Sequence, residues 1–187
     1  MIHWLLKTRH FVPNSHYDTV HDIDFDALYQ EGKRVLLVDL DNTLIPYDET
    51  LPNKKLKAFI ESIKHVGFEV VIISNNRLPR VKHFSDAVDV SYVASAKKPL
   101  KCGFKRAMQH TETFYEKAQV CMIGDQLMTD VFGSRRMGYD CLLVMPIKKK
   151  TEKWYTKFNR RVETNMLRKI KRKYPSAYKR LALEKRL

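Results

Sequence analysis

Val35-Leu36-Leu37-Val38-Asp39-Leu40-Asp41-Asn42-Thr43-Leu44 is the stretch that decides the fold. Four apolar residues without a polar break suit a strand covered on both faces, as in a parallel sheet. The run ends in two carboxylates one residue apart, and open α/β sheets bind ligands at the C-terminal ends of their strands. Acids this close repel each other unless a cation or a shared proton relieves them. The spacing reads as a metal-assisted site on a strand end, with a strand entering an acidic turn as the alternative. Asn42 and Thr43 shape the turn on either reading.

Working outward, strand-like and helix-like pieces alternate. Residues 52–65 read as a helix with Leu56, Phe59, Ile60 and Ile63 on one face, broken by Gly67. Residues 70–73 form a strand ending in Ser74-Asn75-Asn76, 78–87 a helix, and 88–94 a strand. The loop Ala96-Lys97-Lys98-Pro99 feeds a helix over 100–110. Residues 120–123 form a strand ending in Gly124-Asp125, 127–137 a helix stopped by Gly138, and 141–145 a last strand. This alternation implies βαβ units: an α/β, Rossmann-like fold with a mostly parallel sheet sandwiched by helices. Right-handed crossovers then gather the strand ends at one rim.

Charge divides the 187 residues unevenly. The formal net charge is +14, yet residues 148–187 hold 16 Lys and Arg against three Glu, leaving 19 basic and 18 acidic groups elsewhere. Three parts follow: a lead-in over 1–34, a nearly neutral core over 35–147, and a basic, amphipathic helical extension over 148–187. In the lead-in, Pro13-Asn14-Ser15 marks a turn and 24–30 a short helix ended by Gly32; Trp4, Leu5, Leu6, Phe11 and Val12 pack on the core or touch a lipid surface. In the extension, Trp154, Phe158, Val162, Met166 and Ile170 recur every fourth residue, opposite Lys153, Lys157, Arg160, Arg161, Arg168 and Lys171. That pattern suits an interfacial helix, each basic group adding ~1 kcal/mol near an anionic leaflet, and equally a helix packed on the domain. Nucleic acid would be attracted by the same charge. Cys102, Cys121 and Cys141 lack metal-type spacing and suggest a reducing compartment. No apolar run reaches the ~20 residues that span a bilayer, and the short apolar N-terminus is interrupted at Lys7, unlike a signal segment. A cytoplasmic protein, peripheral on the membrane, is expected.

The expected rim brings together Asp39 and Asp41, Ser74 to Asn76, Lys97 and Lys98, and Asp125 with Asp130. Such a set suits phosphoryl transfer. A carboxylate can attack phosphorus, Mg²⁺ takes oxygen ligands and lowers charge repulsion, Lys and Ser can hold phosphate oxygens, and a second acid can move the proton.

These motifs, taken in order across roughly residues 35–145, resemble the haloacid dehalogenase (HAD) phosphohydrolases. Asp39-Leu40-Asp41-Asn42-Thr43 looks like the first motif, Ser74 the second, Lys98 before Pro99 the third, and Gly124-Asp125…Asp130 the fourth. The resemblance implies Asp39 as the nucleophile forming an aspartyl phosphate, and Asp41 as general acid/base. It implies Ser74, with Asn75, and Lys98 as phosphate binders, with Lys97 the alternative to Lys98. Asp39, Asp41 (through its carbonyl) and Asp125 would hold Mg²⁺, with Asp130 and Thr43 in support. The five-residue step from Asp125 to Asp130 leaves the role of Asp130 open. Together with Phe11-Val12-Pro13, Val20-His21-Asp22-Ile23 and Gly124-Asp125-Gln126, the motifs look like subfamily IIIA, and within it the YqeG-type family, similar to mitochondrial phosphatidylglycerophosphate phosphatases. That likeness implies release of phosphate from phosphatidylglycerophosphate.

The intervals after Thr43 and between Ser74 and Lys98 are too short for an inserted cap domain, so an open site is expected. An open site suits a phosphate on something too large to enclose. An anionic phospholipid at a membrane surface is the first candidate. Nucleic-acid ends or a soluble phosphoester are the second, and an RNA- or ribosome-binding module with an incidental site is the third.

Overall fold

Among the described residues, six strands form one sheet in the order β1 (Ser15–Tyr17), β6 (Asp140–Val144), β5 (Val120–Gly124), β2 (Val35–Val38), β3 (Glu69–Ile73) and β4 (Ser91–Val93), and every neighbouring pair is parallel. The computed structural model describes residues 7–148 and 154–187, with backbone alone for 154–161. The expectations at Trp4, Leu5, Leu6, Lys153, Trp154, Lys157, Phe158, Arg160 and Arg161 lie outside the described side chains.

β2 (Val35–Val38) runs through the middle, between β3 (Glu69–Ile73) and β5 (Val120–Gly124). Its residues split by the period of two that a strand imposes. Val35 and Leu37 face a core made with Val71, Ile73, Val120, Met122, Phe104 and Phe132. Leu36 and Val38 face another made with Ile72, Cys121, Ile123, Leu56, Ile60 and Phe84. Both faces are covered, which is why the run shows no polar alternation. Burying each such side chain contributes ~1.5–3 kcal/mol.

The connecting helices are α2 (Lys54–Val66), α3 (Leu78–Ala87), α4 (Lys101–Met108) and α5 (Phe132–Met137). Asn53 caps α2 by accepting the Leu56 N–H at 2.9 Å, and Gly67 ends it at φ +110°, a conformation in which a Cβ is strained. β3 is joined to β4 (Ser91–Val93) by α3 alone, and residues 39–53 form a turn and loop, so neither interval carries an inserted domain.

The lead-in belongs to the sheet. Residues 15–17, next to the expected turn, form the edge strand β1 (Ser15–Tyr17), parallel to β6 (Asp140–Val144). Asn14 fastens it: its Oδ1 accepts the Cys141 N–H at 2.9 Å and its Nδ2 donates to Asp140 at 2.7 Å. Phe11 stacks on Phe132, ring centres 4.3 Å apart, and α1 (Phe25–Gln30) adds Phe25 and Leu28 to the other core. Of the apolar lead-in cluster, Phe11 and Val12 lie on the first core, and the sheet unit begins before Val35.

The basic extension also docks on the sheet unit. α6 (Trp154–Lys173) buries Met166, Leu167 and Ile170, and α7 (Pro175–Arg180) with the turn after it buries Tyr178, Leu181 and Leu183, all in the first core. Arg168, Lys171, Arg172, Lys173, Lys179, Arg180 and Lys185 remain exposed. The apolar stripe from Met166 onward is thus used internally, and the outward face of the described tail is basic.

Candidate active site

Asp39 and Asp41 emerge at the C-terminal end of β2 and are both buried. Asn42, at φ +65°, turns the chain in a region Asn tolerates better than most residues. The turn closes through the Asn42 N–H to the Ile45 carbonyl at 2.7 Å and the Leu44 N–H to the Leu40 carbonyl at 3.0 Å. Thr43 lies inside it, its buried hydroxyl without a hydrogen-bond partner among the described residues. The turn sends the two carboxylates to different neighbours.

Asp39 faces Lys98. The ammonium lies 2.7 Å from Asp39 Oδ1 and 2.7 Å from Asp130 Oδ1, and all three side chains are at least nine-tenths buried. Asn75 fixes the lysine's backbone, accepting its N–H at 2.6 Å and donating to its carbonyl at 3.0 Å. Lys97 is exposed, so Lys98 is the lysine that enters the site. Asn75, expected among the phosphate binders, spends its amide positioning Lys98.

Asp130 reaches this cluster through a π-helical turn, Leu127–Val131, continuous with α5. A wider turn accommodates the five-residue step from Asp125. Asp130 Oδ2 accepts the Gln126 N–H at 3.0 Å, and its carboxyl lies over Gly124, where an added Cβ would come within 2.4 Å of the carboxyl carbon. Glycine is required there by close approach. The open role of Asp130 thus becomes a defined position, opposite Asp39 across Lys98.

One carboxylate oxygen from each of Asp39, Asp125 and Asp130 lies within 4.8 Å of the others. Burial pushes the Asp39 carboxyl well above the usual carboxylate range; Lys98 pulls it down, and Asp130, Asp125 and Asp41 push it further up. For Lys98, burial works against the ammonium, but Asp130 and Asp39 outweigh it and keep it charged beyond an ordinary lysine. Asp39 and Asp130 bring two carboxylates to the one Lys98 ammonium, with Asp125 beside them, a surplus of negative charge when both are ionised. A hard divalent cation with oxygen ligands would balance that surplus, so the donor set fits Mg²⁺. The expectation had Asp41 beside Asp39 and Asp125 in the metal set. That expectation engages the Asp41 backbone carbonyl; among the carboxylates Asp130 completes the buried trio, and the Asp41 carboxylate is turned to Arg80 and Asn76.

Asp41 is held by two rim residues expected from the sequence, Ser74 and Asn76, and by Arg80, which carries no motif. Arg80 Nε donates to Asp41 Oδ1 at 2.8 Å and Asn76 Nδ2 to Oδ2 at 2.9 Å. Ser74, buried at the end of β3, accepts the Asn76 N–H at 3.0 Å and its hydroxyl lies 3.5 Å from Asp41 Oδ2. Arg80 stands in the first turn of α3. A cation there opposes the helix dipole unless an anion compensates, and that misfit is the signal that could have found it.

A further residue arrives from the far end of the chain. The guanidinium of Arg186, buried against Glu163, donates to the Asp125 carbonyl at 2.6 Å and the Val144 carbonyl at 2.9 Å. It ties the ends of β5 and β6 together directly behind the acid trio.

A family model described as mitochondrial PGP phosphatase matches residues 1–148. The chain belongs to the PGP phosphatase family. The chain is similar to the probable phosphatase YqeG of Bacillus subtilis (strain 168), 36% identical over 163 residues, covering 87% of this chain and 93% of the relative. It is 25% identical over 178 residues to phosphatidylglycerophosphate phosphatase 1, chloroplastic/mitochondrial, of Arabidopsis thaliana, covering 90% of this chain and 51% of that one. The chain thus spans about half the length of the plant relative. Among solved structures, an uncharacterized protein from Listeria monocytogenes serotype 4b is similar at TM-score 0.50 and 18% identity, covering 62% of this chain and 84% of that one, a likeness of fold alone. This PGP phosphatase family member is a phosphatase with a parallel α/β core. Among the described residues, no helix is long and apolar enough to cross a membrane.

Proposed function

We propose that the protein is a Mg²⁺-dependent phosphomonoester hydrolase that acts through an aspartyl-phosphate intermediate and dephosphorylates phosphatidylglycerophosphate at a membrane surface. The observation that carries the reading is the Asp39–Lys98–Asp130 cluster at the end of the central strand, in a chain whose family is named for that lipid's phosphatase.

Asp39 Oδ attacks phosphorus and displaces the lipid alkoxide, leaving an acyl phosphate on its own carboxylate. Lys98 and Ser74 stand where they can donate to the non-bridging oxygens, on which the transition state carries its charge. Asp41 gives the leaving alkoxide its proton, then takes one from the water that cleaves the acyl phosphate, restoring Asp39 and releasing inorganic phosphate. Arg80 and Asn76 aim Asp41 for both transfers. Bound through Asp39, Asp125 and Asp130, Mg²⁺ would supply charge neutralisation between nucleophile and phosphate.

The membrane part of the reading is supported by the exposed basic face of α6 and α7 and by the short loops around the site. The protein would sit peripherally, on the cytoplasmic side, held by charge to anionic phospholipid. The test is phosphate release from vesicles containing phosphatidylglycerophosphate, beside phosphorylated oligonucleotides and soluble phosphoesters. Magnesium-dependent release from the lipid, lost in Asp39→Asn and on chelation, is expected. Faster release from oligonucleotides than from lipid would overturn the substrate assignment.

A further inference from the structure

Single exposed leucines scattered over a surface are normal and need no explanation. Here their placement is ordered. Seven large apolar side chains are exposed among the described residues, and four of them are Leu51, Leu78, Leu100 and Ile147, at 49, 54, 52 and 51%. Leu51 lies just ahead of Asn53, the cap of α2; Leu78 opens α3; Leu100 caps α4; Ile147 follows β6. In a parallel sheet each helix starts beside the C-terminal end of the strand before it. All four residues therefore stand on the rim that carries Asp39, Ser74, Lys98 and Asp125. The other three, Phe114, Tyr174 and Leu187, lie in the loop after α4 and in the tail.

Each rim residue has an exposed cation beside it in sequence: Lys54 near Leu51, Arg77 before Leu78, Lys97 and Lys101 around Leu100, and Lys148 after Ile147. Asp48 on the same rim is engaged by Lys148, and Glu49 is the neighbouring exposed acid. Apolar tips set among cations around an anion-handling site match one kind of surface. We propose that this rim is a docking face for an anionic bilayer, with Leu51, Leu78, Leu100 and Ile147 entering the headgroup–acyl boundary and the flanking cations meeting lipid phosphates. Interfacial binding sums the apolar area buried and the attraction to anionic lipid. The face rests on the lipid-phosphatase reading and extends it: the mouth of the site holds the membrane, so Asp39 meets a headgroup that stays in its leaflet.

The test uses the full chain in flotation with vesicles of phosphatidylglycerol and phosphatidylcholine, against vesicles of phosphatidylcholine alone. The unaltered protein is expected to float with the anionic vesicles. The fourfold variant Leu51→Ser, Leu78→Ser, Leu100→Ser, Ile147→Ser should partition at least about tenfold less. Its ratio of vesicle-borne to soluble p-nitrophenyl phosphate turnover should fall by a similar factor. Phe114→Ser, an exposed apolar residue away from the rim, should float like the unaltered chain. Fourfold-variant flotation equal to that of the unaltered chain would overturn the proposal and leave the tail as the sole anchor; so would failure of the unaltered chain to float with anionic vesicles. Rim-dependent flotation without release of phosphate from the lipid would sink the substrate assignment and keep the docking face.

Discussion

Asp39 and Asp41 leave one strand two residues apart and end in opposite electrostatic company. Asp41 is paired with Arg80, a fixed cation whose side chain is 14% exposed, and its second oxygen is held by Asn76. That side is balanced in charge without any addition. Asp39 shares the single Lys98 ammonium with Asp130 and lies near Asp125, so its side carries surplus negative charge. The proton-transfer side is thus finished by the chain itself, and the nucleophilic side is built to be completed from outside. A residue's number of charged neighbours says less than whether those charges close.

The largest effect tests the incomplete side. Asp39→Asn should lower phosphate release by at least about 10³-fold, as loss of a covalent nucleophile does. The same substitution removes a buried carboxyl that burial pushes far up. Metal-free Asp39→Asn should therefore melt no lower than the unaltered chain at neutral pH, in differential scanning calorimetry. A marked fall in melting temperature would mean that the surplus charge has a partner not identified at this site.

On the balanced side, Arg80→Ala should leave Asp41 misaimed. General acid help contributes ~10²–10⁴-fold when the leaving group is poor. Turnover of an alkyl phosphate should drop by about 10²-fold, and that of p-nitrophenyl phosphate, whose leaving group barely needs a proton, by far less. Equal losses on both substrates would show that Arg80 acts on phosphate binding instead.

The brace behind the trio gives a smaller and separable effect. Removing one partner of a buried ion pair costs ~3–5 kcal/mol, whereas replacing both by apolar residues is often neutral. Arg186→Met should lower stability accordingly, and Arg186→Met with Glu163→Met should recover most of it. Neither variant restores the hydrogen bond to the Asp125 carbonyl. Outer-sphere contacts of this kind are worth ~10–100-fold in metal affinity, so the magnesium-induced thermal shift should need at least about tenfold more metal in both. A double variant with normal magnesium response would reduce Arg186 to a packing role.

Which of these features could be read beforehand follows from how local each one is. β2, β5 and β6 are apolar runs buried on both faces, and their composition alone marks them. β1 is three residues, Ser-His-Tyr, half-buried at an edge; its pairing is created by β6 and by the Asn14 side chain, and no local pattern announces it. Asp39, Asp41, Lys98 and Asp125 stood at strand or loop ends in a recognisable order. Asp130 was visible but mis-spaced until the π-helical turn supplied the missing geometry. Arg186 is 61 residues from the carbonyl it holds, and one more arginine in a basic tail carries no mark. Nor could periodicity separate a tail docked on a domain from one docked on lipid, since Met166 and Ile170 satisfy both.

His16 offers the last contrast, burial that its neighbours do not outweigh. Its Nδ1 meets the Leu181 carbonyl at 2.9 Å, and its Nε2 is buried without a hydrogen-bond partner among the described residues. Burial lowers its pKa below 6.5; the Leu181 carbonyl and Asp18 oppose this, and Arg186 and Lys185 add to it. The folded state then binds fewer protons than the unfolded one just below that value. The stabilisation is full above pH 6.5 and is lost as pH falls through the folded pKa. Asp39 slopes the other way: its raised pKa makes the metal-free fold lose stability as pH rises above 3.8 through the folded value. Below pH 6.5 the urea midpoints of the metal-free protein therefore mix two opposing trends. In an Asp39→Asn background the carboxyl slope disappears, and stability should decline on acidification below pH 6.5. Adding His16→Asn should flatten that decline. If the slope survives both substitutions, the acid sensitivity belongs to another group, and the docked tail is not held by a neutral His16.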